Sequence, residues 1–201
     1  MEIKKVITNA LEENCYVFSS DGEGIIVDPG GAAQKIIKAT EGIKIKYILL
    51  THGHFDHIFA LKEVKDVLGA EVLVPEDDIE MLSDSRKSMG APYGFYHGVM
   101  PFDRELSEGD EITFGNITLR ALKTPGHSKG SMCYFGNGIL ISGDVLFKGT
   151  IGRFEFENKN LMVSSLKKLF KLPGETVVYP GHGDVTTIDY ELKFNPYADM
   201  E

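Results

Sequence analysis

The sequence has little of three things that mark specialised proteins: cysteine, long apolar runs and positive charge. Its only cysteines, Cys15 and Cys133, lie in apolar, strand-like stretches. Two cysteines form no disulfide framework, so we expect small buried thiols. No apolar run is long enough to cross a bilayer, and the N-terminal stretch MEIKKVITNALEENC lacks the apolar segment of a signal peptide. These absences predict a cytoplasmic protein with no membrane partner.

The charge balance argues against nucleic acid as a partner. The net charge is −9 and no basic stripe offsets phosphate repulsion. A small anionic ligand held by a local positive site is compatible with this charge. The 201 residues, 42% apolar and 25% charged, predict a single domain over residues 1–201, although two half-domains sharing a core would also fit. The sequence does not indicate the oligomeric state.

Strand-like and helix-like segments follow one another in a similar order in the two halves. The first half reads as three strands, a helix over about residues 32–40, the strand IKYILLT, a helix ending at Gly69, the strand AEVLVP and a helix EDDIEMLSDSRKSM. An irregular loop, GAPYGFYHGVMPFDRELSEGDEI, precedes more strands, a helix with Leu161, Leu166, Leu169 and Phe170 on one face, the strand TVVYP and a short closing helix. This order suggests two sheets packed face to face with helices outside, and an open parallel sheet also fits.

Histidine is concentrated where strands end. Three of the six histidines fall in THGHFDH, which holds His52, His54, Asp56 and His57. The others outside the irregular loop are His127 in KTPGHSKG and His182 in VVYPGHGD, and Asp144 and Asp28 also follow apolar strands.

Strand ends that carry histidine and aspartate can build one cluster on the rim of a sheet, and these residue types hold divalent metals. His52 and His54, two apart in an extended chain, project to the same side. Asp56 and His57 can point to a second centre. A lone histidine is more often structural, and Asp56 by itself would pass for a helix cap. The pattern as a whole predicts a metal site, and His97, in the irregular loop, has no part in it and suits a surface role.

The motifs THGHFDH, TPGHSKGS, SGD and PGHG resemble, in order, those of the metallo-β-lactamase superfamily, and GDVLFKGTIGR is most similar to the short glyoxalase II-type hydrolases. The resemblance implies an α/β fold: a four-layer αβ/βα sandwich of two mixed sheets packed face to face with helices outside. It also implies two divalent ions, zinc first, with iron or manganese as alternatives. One would be held by His52, His54 and His127 and the other by Asp56, His57 and His182, with Asp144 bridging them.

The sequence departs from full-length glyoxalase II where that family holds glutathione. The family's glutathione-contacting lysine is Arg153 here, and its two tyrosines are Glu155 and Asp184. The chain ends soon after ELKFNPYADM, where the family has a helical extension. Arg153 and Lys148 are the substrate-binding candidates that remain. Asp144 in place of cysteine is unlike the common class of zinc β-lactamases.

The resemblance implies hydrolysis by a metal-bound hydroxide, which Asp56 would help to orient as a catalytic residue. A thiol has a pKa of roughly 8.5 and can leave as a thiolate, so thioesters of the hydroxyacylglutathione type fit better than amides. Three alternatives stay open: a persulfide dioxygenase with one iron, a lactone or ester hydrolase, and a metal-binding protein without turnover.

Overall fold

The structure, a computed structural model, describes residues 1–9 and 11–200 and contains two compact units. Unit 1 consists of Met1–Leu106 and Thr113–Ile117, and unit 2 of Ser107–Ile112 and Thr118–Glu201. The first of the three strands predicted at the start of the chain, KKVITNAL, includes Ala10, which lies outside the described residues. Each unit has its own sheet and its own apolar cluster, and each is described in turn.

Unit 1 is built on a six-stranded sheet in which β1 to β6 lie side by side in chain order. The first three strands pair antiparallel, and β3, β4, β5 and β6 run parallel to one another. The strands β2, β3 and β5 are mostly buried and rich in apolar residues, whereas β4 is buried only at its end, Ile48 and Leu49. The strand bounds are β1 Glu2–Ile7, β2 Asn14–Ser20, β3 Glu23–Val27, β4 Lys44–Leu49, β5 Glu71–Pro75 and β6 Arg104–Leu106.

The helices of unit 1 follow its parallel strands, as the sequence predicts. The helix expected over about residues 32–40 is α1, Ala33–Ala39, and the helix expected to end at Gly69 is α3, Leu61–Leu68. A separate turn of helix, α2, covers Phe55–Ile58. Gly69 takes the left-handed conformation, with φ 65°, that helix ends favour in glycine.

The helix predicted for EDDIEMLSDSRKSM is wrong in type and length. The structure has a short 3₁₀ helix over Glu76–Leu82 and turns after it. In the turns after the helix, the carboxylate of Asp84 accepts a hydrogen bond from the amide of Arg86 (2.8 Å), a local pairing that competes with helical bonds. The next segment is irregular, as predicted, apart from a 3₁₀ turn over Ala91–Tyr93 and the strand β6.

The second six-stranded sheet has the order β14-β13-β10-β9-β8-β7, and a two-stranded ribbon pairs β11 with β12. In the six-stranded sheet β10 runs parallel to β13, whereas β8–β9 and β9–β10 are antiparallel. The strand bounds are β7 Glu111–Phe114, β8 Ile117–Lys123, β9 Met132–Gly136, β10 Ile139–Gly143, β11 Leu146–Phe147, β12 Thr150–Ile151, β13 Val177–Pro180 and β14 Thr186–Thr187.

Two α-helices follow in unit 2: α4, Lys159–Leu169, preceded by a 3₁₀ turn over Phe156–Asn158, and α5, Ile188–Phe194. Leu166 and Leu169 lie on the buried face of α4, as predicted. Leu161 does not, because Met162 occupies the buried position and leaves Leu161 exposed. The two mixed sheets and their helices confirm the predicted α/β class.

Both cysteines are buried free thiols, as the sequence predicts. Burial raises the pKa of Cys15 and raises that of Cys133 to about 12. Within the described part of the chain, the helices all fall short of the length and apolarity that a bilayer crossing requires.

Candidate functional site

Unit 1 gathers four of the predicted metal ligands at the carboxyl edge of its parallel strands. Since β3 and β4 are parallel neighbours, the segments that follow them leave the sheet at the same edge. Asp28 follows β3, and the THGHFDH segment follows β4. All four predicted ligands of that segment are buried: His52, His54, Asp56 and His57.

Asp28 organises this segment through both of its carboxylate oxygens. Its Oδ1 accepts a hydrogen bond from the amide of Thr51 (2.7 Å), and its Oδ2 accepts one from the Thr51 hydroxyl (2.6 Å). The same Oδ2 lies 3.0 Å from Nδ1 of His57. Asp28 is 2% exposed and has φ 51°, a strained value for a residue with a side chain. A buried carboxylate thus fixes the start of the segment and the ring of His57.

These hydrogen bonds determine which nitrogen of each ring carries the proton. A carboxylate only accepts, so Nδ1 of His57 donates to Asp28, and in the neutral ring Nε2 bears the lone pair. The Thr51 hydroxyl donates its only hydrogen to Asp28, so it accepts a hydrogen bond from Nδ1 of His52, 3.1 Å away. His52 is therefore also the Nδ1–H tautomer. Histidines that bind metals are held in this way, with the second ring nitrogen donating to an oxygen.

The rings and carboxylate of the segment lie close together. The ring centre of His52 is 4.6 Å from that of His54 and 4.1 Å from that of His57. Nε2 of His57 lies 3.8 Å from Oδ2 of Asp56. The segment is held from a second side by the buried Asp78, whose Oδ2 accepts from the amide of Gly53 (3.1 Å).

Gly30 allows the loop after β3 to pack directly on the segment. A Cβ at Gly30 would lie 1.7 Å from the carbonyl oxygen of Asp56, so only glycine fits. It would also lie 2.5 Å from Oε2 of Glu13, a fully buried residue. Burial raises the pKa of Glu13, and the carboxylates of Asp28 and Asp56 add to that rise while His57 and Thr8 oppose it.

Unit 2 places the other three predicted ligands at one edge of its own sheet. The strands β8 and β10 are each antiparallel to β9, so they run in the same direction, and β13 is parallel to β10. His127, Asp144 and His182 follow β8, β10 and β13, respectively. Oδ2 of Asp144 lies 3.5 Å from Nε2 of His127 and 3.5 Å from Nε2 of His182. One carboxylate oxygen therefore has a histidine nitrogen on either side.

The tautomer of His127 is fixed by the backbone. Its Nδ1 lies 2.6 Å from the carbonyl oxygen of Arg153, which only accepts, so Nδ1 carries a proton and, in the neutral ring, Nε2 bears the lone pair. Gly152 lets the chain approach: a Cβ there would lie 1.7 Å from the carbonyl oxygen of Asp144 and 3.4 Å from Nδ1 of His127. The segment GTIGR thus orients His127 through its backbone.

The ligand atoms of these histidines and aspartates fit a divalent cation. A nitrogen lone pair and a carboxylate oxygen 3.5 Å apart, as between His127 and Asp144, repel each other unless a positive charge lies between them. Imidazole nitrogens with a carboxylate are the ligand set that zinc, iron and related ions take in proteins. Unit 1 also brings one ligand atom each of Asp28, His52 and His57 within 4.8 Å of one another. The hydrogen bonds of Asp28 make it the orienting partner in that group.

The predicted substrate-binding residues, Arg153 and Lys148, each lie near a carboxylate. The Arg153 side chain is 80% exposed, and its guanidinium lies 3.9 Å from the carboxylate of Glu155. Nζ of Lys148 lies 3.3 Å from Oδ2 of Asp184. Both cations thus face carboxylates at two positions where full-length glyoxalase II has tyrosine.

His97 has a structural role that the sequence does not indicate. Its Nδ1 donates to the carbonyl oxygen of Gly98 (2.7 Å), and its Nε2 lies 2.9 Å from the hydroxyl of Ser88. The carbonyl oxygen of Ser88 in turn accepts from the amide of Phe55 (2.8 Å). His97 therefore stabilises the irregular loop against the histidine segment.

Two supporting residues were missed by the sequence reasoning. Asp28 follows an apolar strand, as Asp144 does, and this signal by itself does not assign Asp28 to the site. Asp78 gave no signal, because it lies in the acidic stretch EDD, which is typical of a solvated helix start.

The chain is similar to proteins of one superfamily over nearly its whole length. The family model for the metallo-beta-lactamase superfamily matches residues 8–182. A probable metallo-hydrolase of Bacillus subtilis, YqgX, is 38% identical, and the match covers 99% of this chain and 98% of that protein. The hydroxyacylglutathione hydrolase GloC of Haemophilus influenzae is 30% identical over 100% of both chains.

Solved structures agree with these relatives. The crystal structure of the BLEG-1 B3 metallo-β-lactamase superimposes with a TM-score of 0.91 at 34% identity, covering 98% of this chain and 100% of that one. A di-iron-bound form of TTHA1623 gives a TM-score of 0.86 at 31% identity, covering 96% and 99%. The predicted fold and the predicted resemblance are confirmed, and the chain belongs to the metallo-β-lactamase superfamily.

Proposed function

We propose that this metal-dependent hydrolase cleaves thioesters of the hydroxyacylglutathione type. The main observation behind the proposal is that Nδ1 of His52, His57 and His127 each donates a hydrogen bond to an oxygen. This arrangement leaves Nε2 of each ring available to bind a metal. Support for the substrate class comes from GloC, a hydroxyacylglutathione hydrolase aligned with the full chain.

We assign the ligands by the motifs of the superfamily. His52, His54 and His127 would hold one ion, and Asp56, His57 and His182 the other, with Asp144 bridging them. The flanking of Asp144 Oδ2 by two histidine nitrogens supports its bridging role. Zinc is the first candidate, and the di-iron form of TTHA1623 supports iron as an alternative.

Bound divalent ions would supply a nucleophile at neutral pH, by lowering the pKa of water from 15.7 to about 7, and a Lewis acid for the carbonyl oxygen. The protein's own residues supply orientation. Asp56, buried beside His57, can accept a hydrogen bond from the attacking water and hold it toward the carbonyl carbon. A thiolate can depart with little protonation since the thiol pKa is roughly 8.5, which suits a site where we identify no dedicated general acid.

The glutathione carrier would meet a weak cationic site. Arg153 is exposed and faces Glu155, and Lys148 faces Asp184, so each cation is partly neutralised before a substrate arrives. A charge-assisted hydrogen bond is worth about 1.5–3 kcal/mol when shielded and less in water. We therefore expect hydrolysis of lactoylglutathione with a high KM, together with comparable turnover of small thioesters.

Steady-state kinetics of Arg153→Ala on both substrate types test this carrier site. We expect KM for lactoylglutathione to rise about two- to fivefold with kcat unchanged, because a contact made equally in ground and transition states changes only KM. KM for a small acetyl thioester should stay constant. Lys171→Ala, which removes an exposed cation of the same unit, serves as the control. Exclusive use of lactoylglutathione that survives Arg153→Ala would contradict the assignment.

Two other activities belong in the same assay panel. The likeness to BLEG-1, a B3 metallo-β-lactamase, makes a β-lactam a second candidate substrate, and a chromogenic β-lactam tests it. Oxygen consumption with a persulfide, together with binding of a single iron, would support the dioxygenase alternative. Turnover of a lactone but of no thioester would overturn the thioester proposal and leave the metal-dependent hydrolase.

A further inference from the structure

An aromatic pocket lies beside the histidine segment in unit 1, and neither the motifs nor the ligand assignment uses it. Its aromatic wall consists of Phe55, Phe59, Tyr93 and Phe95. Phe55 stacks on Tyr93 with ring centres 4.9 Å apart, and Phe59 stacks on Phe95 at 4.4 Å. We refer to this cavity as the aromatic pocket.

The opposite wall is backbone and small side chains. It is formed by residues 30–32, two glycines and an alanine, with the exposed Asn9 at its rim. The residues that line the pocket, all of them among the described ones, carry no charge. A ligand held there gains from burying apolar surface and finds no opposite charge among the lining residues, so an apolar group fits better than a glutathione carboxylate.

The pocket adjoins the proposed reaction centre. Phe55 lies in the chain between His54 and Asp56, and Gly30 packs so closely on Asp56 that no Cβ fits between them. The amide of Phe55 donates to Ser88, which anchors the loop that carries Tyr93 and Phe95. The pocket wall therefore includes a chain neighbour of His54 and Asp56, and a glycine in contact with the backbone of Asp56.

The size of the pocket sets the size of its ligand. The cavity is about 180 Å³. A dry cavity of roughly 150 Å³ lined by apolar side chains is known to take up benzene. The aromatic pocket thus accommodates a phenyl ring or an alkyl chain of about six carbons, because each has a similar volume.

We propose that the aromatic pocket binds an apolar alkyl or aryl group of the substrate, with the acyl chain as the occupant. This inference rests on the proposed function, and it predicts a preference for hexanoyl or phenylacetyl thioesters over acetyl ones. Burying one methylene group raises binding affinity about fourfold. We therefore expect kcat/KM to rise about two- to fourfold per added carbon and to level off near six carbons.

The test uses two truncations at exposed ring positions, where the fold is at little risk. Tyr93 is 65% exposed and Phe59 is 51% exposed. Tyr93→Ala and Phe59→Ala should each lower kcat/KM for hexanoyl thioesters about three- to tenfold and lower that for acetyl thioesters less, because each removes a stacked ring of the wall that a longer chain contacts more fully. Tyr96→Ala is the matched control: Tyr96 lies in the same loop, is 77% exposed and does not line the pocket.

A binding measurement separates this inference from the proposed function. Fluorobenzene, a neutral probe that does not ligate metals, should bind the zinc-loaded protein in fluorine NMR and bind Tyr93→Ala and Phe59→Ala more weakly. If fluorobenzene binds as expected and no thioester is hydrolysed, the proposed thioester activity is wrong, while the proposal that the pocket binds apolar groups is supported. If all acyl lengths are cleaved equally and fluorobenzene does not bind, the pocket assignment fails and the hydrolase stands.

Two further outcomes are informative. Varying the thiol at constant acyl group reveals whether the leaving group occupies the pocket instead; a preference that follows the thiol alone would overturn the acyl assignment. A dimer in sedimentation that dissociates in Phe59→Ala, with acyl selectivity unchanged, would also overturn it and assign these rings to an interface with a second copy of the chain.

Discussion

At the scale of single residues, the orienting carboxylate of Asp28 should matter nearly as much as the ligands. Asp28→Asn replaces one carboxylate oxygen by an amide nitrogen, which cannot accept from both the Thr51 hydroxyl and Nδ1 of His57. We expect zinc affinity, measured by chelator competition, to fall about 10- to 100-fold, as is usual when a histidine ligand loses its carboxylate partner.

Asp21→Asn provides the matched control, since Asp21 is an exposed turn residue between β2 and β3. It should bind zinc like the wild-type protein. Retention of full zinc affinity by a folded Asp28→Asn variant would show that the ring of His57 does not need this carboxylate.

The candidate ligands were predictable from the sequence because they follow apolar strands and most of them have glycine or proline beside them. Their supporting contacts were not. The backbone carbonyl of Arg153 orients His127, and every residue has a carbonyl, so no residue type marks this role. The carboxylate of Asp78 reaches Gly53 across 25 residues of chain, and only the folded structure brings them together.

At the scale of elements, Asp103 joins helix α3 to the edge of the first sheet. Its Oδ2 accepts hydrogen bonds from Nζ of Lys65, in α3, and from the amide of Val72, in β5. Lys65 first, and then the Val72 amide, lower the pKa of Asp103. The carboxylate of Asp103 therefore stabilises the fold in its ionised form.

The sign of the pH dependence follows from that lowered pKa. The stabilisation is fully present above the ordinary aspartate pKa of about 3.9 and is lost as the pH falls through the lower value of the folded state. The Asp103 side chain is 41% exposed, so Asp103→Asn should lower the free energy of unfolding by at most about 1 kcal/mol at neutral pH. In acid the difference should disappear.

Urea unfolding of wild type and Asp103→Asn at neutral pH and in acid measures this difference. Asp66→Asn, which removes the more exposed pair with Lys62, is the control and should cost less at neutral pH. A cost for Asp103→Asn that is equal at both pH values would mean that packing, and not the ionised carboxylate, is what the substitution removes.

Elements with a clear period were predicted well, and those governed by local side-chain bonds were not. The helix α1 and the strands β4 and β5 agree with their apolar patterns. The segment after β5 has good helix formers, yet the carboxylate of Asp84 pairs with the amide of Arg86 in a turn. The carboxylate of Asp78 pairs with the amide of Gly53. Tertiary contacts thus override propensity where the chain supports the histidine segment.

At the scale of the whole molecule, the proposed centre makes a prediction about how ions are lost. If His54 and His127 hold the same ion, removing either should lower the zinc content from about two equivalents to about one. Removing both should cost no more than removing one, because ligands of one ion are energetically coupled. His54→Ala combined with His182→Ala removes ligands of different ions and should leave close to no zinc.

Elemental analysis after zinc reconstitution gives these stoichiometries, and thermal unfolding gives an independent measure. An ion that binds only the folded state adds about 2.7 kcal/mol of stability at 100 times its Kd, so each lost ion should remove a separate share of the zinc-induced rise in Tm. The His54→Ala and His127→Ala variants should therefore show the same reduced rise, singly and together. His54 belongs to unit 1 and His127 to unit 2, so this equality would mean that one ion is shared by ligands from both units. Full zinc content in His127→Ala would instead mean that zinc binding does not need His127, and the proposed ligand assignment would be wrong.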